Sequence, residues 1–127
     1  MRLTAAVVHA RQVDLSGKLQ IKPGQSAAVL NAPAGLALPG VPVAASASDA
    51  DAVIAFVTRR EDLDSAGQAV AAARAGRLAW IGYPKGGKLG TDLNRDTLVG
   101  AVASKGVQPV RQVSIDETWS ALRFRPA

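Results

Sequence analysis

Cysteine is absent from all 127 residues, and there is a single histidine, His9. The first absence removes disulfides, thiol nucleophiles and thiolate metal sites. The second leaves a catalytic triad or a nitrogen-ligated metal site with one imidazole and no second candidate. Aromatic residues make up only 4% of the chain, so the 48% hydrophobic content rests mainly on Ala and Val. Side chains that small favour thin, closely approached layers over a bulky core. Long apolar runs are missing too. Residues 1–9 contain a six-residue apolar stretch ended by His9, shorter than a signal-peptide core. Nothing approaches the roughly 20 apolar residues of a membrane span. The expected location is the cytoplasm, with no membrane partner.

What is present suits one domain over 1–127, with 1–17 as an N-terminal arm. Charged residues are 20% of the chain, and the net charge is +5. The charge is uneven: residues 1–30 carry four cations against Asp14, residues 31–76 three against five acids, and residues 77–127 eight against four. A basic balance favours anionic partners, but the cations are spaced singly and only Arg59 and Arg60 are adjacent. The spacing reads as solvated surface and argues against nucleic-acid binding.

Apolar runs bounded by Pro and Gly place strands at Ser26–Asn31, Val41–Ala45 and Ala52–Val57, the last covered on both faces. Thr58 and Glu61 have capping-box spacing, and Leu63, Ala66, Val70 and Ala73 then recur at helical period until Gly76. Another strand spans Arg77–Tyr83. Asn94 caps a second helix with Asp96 in its first turn, Leu98, Ala101 and Val102 as its buried stripe, and Lys105–Gly106 as its stop. Val107–Ile115, interrupted by Pro109, and Trp119–Arg125 are separated by only three residues. That gap is too short for a parallel crossover and requires an antiparallel hairpin. The expected fold is α/β: a three-layer, Rossmann-like, mostly parallel sheet ending in that hairpin.

The element order, with Leu19-Gln-Ile-Lys-Pro-Gly24 ahead of the first strand, resembles the class I S-adenosylmethionine-dependent methyltransferase fold. More narrowly, three segments resemble a small bacterial family of unknown function. They are Lys22-Pro-Gly with Asn31-Ala-Pro-Ala-Gly35, Tyr83-Pro-Lys85 with Thr91-Asp-Leu93, and Asp116-Glu-Thr-Trp-Ser-Ala-Leu-Arg-Phe124. The resemblance implies a shortened, degenerate methyltransferase-like fold rather than an activity. Methyltransferases carry an acid and a Gly-x-Gly turn after the first strand. Here Asn31 stands for the acid, and Pro33 removes a backbone donor and fixes φ. The expectation is therefore no cofactor, with S-adenosylmethionine (SAM) disfavoured.

Open α/β sheets bind ligands beyond the carboxyl ends of their strands. That edge should gather Asn31, Pro33, Thr58, Arg59, Tyr83 and Lys85 as a ligand cleft. The adjoining loop Pro84–Thr91 offers two lysines and three glycines to an anionic or phosphate-bearing small ligand. It lacks the P-loop spacing and also reads as a solvated connection. Asp92 and Asp96 read as helix initiation rather than an acid–base pair. Asp116-Glu117-Thr118 reads as a hairpin tip, expected far along the sheet from the loops. The functional expectation is a non-catalytic binding or interaction module, with self-association through the sheet edge or hairpin as one form of it. The alternatives are a small SAM- or phospho-ligand-dependent transferase using the 84–91 loop, and nucleic-acid binding through the basic C-terminal half.

Overall fold

A computed structural model describes residues 15–46 and 49–127; His9 and most of the expected arm lie outside them. Five strands form one mixed sheet in the order β1-β2-β3-β5-β4. They are β1 (Ala27–Leu30), β2 (Ala52–Phe56), β3 (Leu78–Pro84), β4 (Val107–Ser114) and β5 (Trp119–Pro126). β1, β2 and β3 run parallel, while β5 is antiparallel to both β3 and β4. The parallel part is thus three strands, and the hairpin inserts its second strand beside β3.

All five residues of β2 are buried, because its two faces meet two separate cores. On one face Val53 and Ala55 meet Leu63, Val70, Ala73, Leu98 and Val102. Those side chains come from a 3₁₀ segment (Arg60–Ala66), the helix α2 (Gly67–Arg74) and the helix α3 (Arg95–Ala103). On the other face Ile54, Phe56 and Trp80 meet Leu15, Leu19 and Ile21 around a one-turn helix α1 (Leu15–Lys18), with Leu36, Leu38 and Val41 packed alongside. Among the described residues this layer is a loop and one helical turn. Leu15 is 3% exposed, so the expected arm is already part of the core by that residue. The buried Trp80 indole donates to the Leu19 carbonyl at 3.0 Å, fixing this cover to the sheet.

The close approach anticipated from the Ala-rich composition is sharpest at Gly82. A Cβ there would lie 2.6 Å from the Phe56 ring, and that ring sits edge-on to Trp119 with centroids 5.3 Å apart. Only glycine leaves room for the ring.

Two expectations are corrected. Val41–Ala45 is not a strand: Val43 makes a single parallel bridge to Ala27, and its side chain is 67% exposed. The segment touches the outer edge of β1 at this one position, too short a contact to build a ladder. Nor does the first helix begin on a Thr58–Glu61 box. The Asp62 carboxylate accepts from the Arg59 amide at 3.0 Å, one residue later, and the first seven residues are 3₁₀. Ser65 Oγ donates to the Asp62 carbonyl, and Asn31 Nδ2 donates to the Ser65 carbonyl. Both side chains occupy backbone acceptors in this stretch, competing with the α-ladder. Asn94, by contrast, caps α3 as expected: its Oδ1 accepts from the Thr97 amide at 2.9 Å. Gly76 and Gly106 close their helices at φ +81° and +84°.

Candidate functional site

Because β3, α3 and β4 form a crossover, β4 runs parallel to β3 although β5 lies between them. The β4–β5 turn therefore lies at the carboxyl end of the parallel strands. This corrects the expectation that the hairpin tip lies far from the loops. Asp116, Thr118 and Trp119 line one side of a cleft of about 300 Å³ there, Pro33–Leu36 line another, and Leu89 a third. Two of the segments singled out in the sequence, Asn31–Gly35 and Asp116–Phe124, supply lining residues. The direction of β4 was legible in the helix that precedes it; the missing inference was that its turn must share an edge with Asn31.

Each wall has a local cause. Asn31 takes φ +59°, a left-handed conformation that Asn tolerates better than most residues, and Gly35 takes +78°. The Leu36 amide donates to the Pro33 carbonyl at 3.1 Å, closing the loop as a turn. In the hairpin, the Asp116 carboxylate accepts from the amides of Thr118 and Trp119, both at 2.8 Å. The turn reading of this segment holds, and that carboxylate is committed to it. The Lys85 amide donates to the Thr118 carbonyl at 2.7 Å, so strand β3 and the hairpin tip are joined directly.

The six expected site residues are not brought together. Pro33 alone lines the cleft. Asn31 is turned to Ser65, at 3.3 Å. Thr58 offers its carbonyl to the Thr91 hydroxyl, and Arg59 donates to the Gly90 carbonyl beside a 4.0 Å approach to Asp92. Lys85 Nζ donates to Ser114 Oγ at 2.6 Å. Tyr83 lies on the helix-covered face, 3% exposed, where its hydroxyl accepts from Gln112 Nε2 at 3.1 Å. Burial raises the Tyr83 pKa, against smaller lowering effects from Arg95 and from a hydrogen bond with Ser120.

The 84–91 loop is held from both sides. Asp92 Oδ1 accepts from the Arg60 amide at 2.8 Å, and the Lys88 amide bonds the Lys85 carbonyl at 2.8 Å. Asp92 therefore ties this loop to the 3₁₀ segment, while Asp96, 92% exposed at its side chain, sits in the first turn of α3 beside Arg95. The two carboxylates do not form a pair. No group of three or more metal-ligating side chains occurs among the described residues. No helix among them is long and apolar enough to cross a membrane.

No protein-family model matches the chain, and no curated protein matches it. Among solved structures it is similar to LepI, in the structure of the LepI complex with SAM, at 17% identity and a TM-score of 0.43. The similarity covers 96% of this chain and 40% of that one, so this chain spans well under half of that protein's length.

Proposed function

We propose that this chain is a binding module with a shortened methyltransferase-like fold, which acts through the carboxyl-end cleft and carries out no catalysis itself. One observation supports this most directly. Polar groups at that edge are spent on holding loops: Asn31 on Ser65, Arg59 on Gly90, Lys85 on Ser114 and Asp116 on its own turn. A general base must reach the proton it removes, and a nucleophile needs a base beside it. Among the described residues the cleft wall offers neither pairing. What it does offer is a concave surface with apolar sides at Pro33, Leu36 and Leu89, the last 59% exposed. Such a wall suits a small ligand with an apolar body, or one side chain of a partner.

Thermal denaturation with SAM, S-adenosylhomocysteine and nucleotides tests this reading. The expected result is an unchanged midpoint across the panel. Saturation at 100 times Kd would add about 2.7 kcal/mol, roughly 10 °C for a domain of this size. A rise of that order with any of them, lost in Leu89→Lys, would overturn the expectation of no cofactor, and transfer of a group from that ligand would replace the module by the transferase reading.

A further inference from the structure

The cations that look scattered along the chain are gathered by the hairpin onto the sheet face opposite α2 and α3. Arg111 of β4 stands directly across from Arg123 of β5, and Arg123 across from Trp80 of β3. Directly opposed residues share a face, and Trp80 belongs to the core beneath α1. Arg125 lies two residues on and points the same way. Lys18 of α1 reaches over from the same side to the Ser114 carbonyl at 3.1 Å. Four positive charges thus share one face, and neither β4 nor β5 carries an acid. Among the described residues every ion pair lies around Arg59 and Arg95, none of them on this face.

The arrangement is costly. Like charges directly across a strand pair destabilise the sheet. Arg123 Nε is screened from water with no hydrogen-bond partner, while its Nη1 donates to Gln20. A polyanion would relieve the repulsion. We propose that this face, centred on Arg111, Arg123 and Arg125, docks the phosphate backbone of duplex DNA without reading its sequence. Charge density decides for a duplex over a single strand. A duplex carries one charge per about 1.7 Å of axis, whereas single-strand binders add stacking on exposed aromatic side chains. Every aromatic ring in this chain is buried, none above 5% exposed, so only the phosphate term is on offer. This surface is distinct from the carboxyl-end cleft, and either can fail without the other.

The test is fluorescence anisotropy of the whole protein with a labelled random 20-base-pair duplex, titrated from 50 to 200 mM salt. Four phosphate contacts predict a slope of log K against log salt of about −3.6, or on the order of a 100-fold loss over that range. Arg111→Ala with Arg125→Ala should cut the slope by about 2. Arg74→Ala with Lys105→Ala, on the helix side, should leave it unchanged. Both double variants change exposed side chains, and matching denaturation midpoints verify that each is folded. The proposal is overturned by no measurable binding at 50 mM salt, by equal slopes in the two double variants, or by a single strand that binds as tightly as the duplex.

Discussion

The two halves of the sheet are built to different rules. In β2 every side chain is buried and apolar, whereas β4 alternates irregularly and leaves Arg111, Gln112 and Ser114 exposed. The difference follows from what covers each face. β2 has α2 on one side and the Leu15–Ile21 and Leu36–Val41 segments on the other. β4 has α3 on one side; on the other, Val113 packs against the core around Leu15–Ile21 while Arg111, two residues before it, stands exposed. A strand covered twice is specified by bulk; a strand covered in part is free to carry charge where it is open.

Breaking the doubly covered half should cost most. Trp80→Ala removes a fully buried ring and its bond to Leu19, with an expected loss of about 3–5 kcal/mol in urea denaturation. Gly82→Ala drives a methyl group into the Phe56 ring, 2.6 Å away. The expected cost is about 1–3 kcal/mol, with partial recovery when Phe56→Leu is added.

Smaller effects belong to the elements that flank the hairpin. Asn94→Ala removes the cap of α3 and should cost about 1 kcal/mol by the same measurement. Tyr83 tests the buried side of the hairpin by pH. Its folded pKa is raised by burial, so the neutral phenol contributes stability that is complete below the unfolded value near 10 and is lost as pH rises through the folded one. Absorbance titration should place ionisation above 10, and Tyr83→Phe should remove that part of the alkaline loss. Arg111→Ala, on the open face, should change stability by no more than about 0.5 kcal/mol; a cost as large as that of Trp80→Ala would erase the contrast between the halves.

Several elements were legible before any coordinates. Ala52–Val57 announced a doubly covered strand by its unbroken apolar run, and Asn94, Gly76 and Gly106 marked helix ends through side-chain and backbone preferences that act locally. Leu63, Ala66, Val70 and Ala73 were placed on the buried side by period alone, and all four are buried. Thr58 misled because its spacing to Glu61 satisfied the capping rule while Asp62, one residue on from the expected Glu61, did the bonding. Val41–Ala45 misled because an apolar run cannot reveal that the chain meets the outer edge of β1 at one position only.

Local chemistry therefore determined the elements and their ends: periodicity, capping and turn residues act over a few positions and are written in the chain. The carboxyl-end cleft and the basic sheet face were decided only by tertiary structure. Pro33–Leu36, Leu89 and the Asp116, Thr118 and Trp119 side are far apart in sequence and meet because β4 runs with β3. Arg111, Arg123 and Arg125 read as solvated surface until strand register set two of them opposite each other and all three on one face. Charge spacing along a chain says little about charge spacing in space, because a hairpin folds distant positions into neighbours about 5 Å apart.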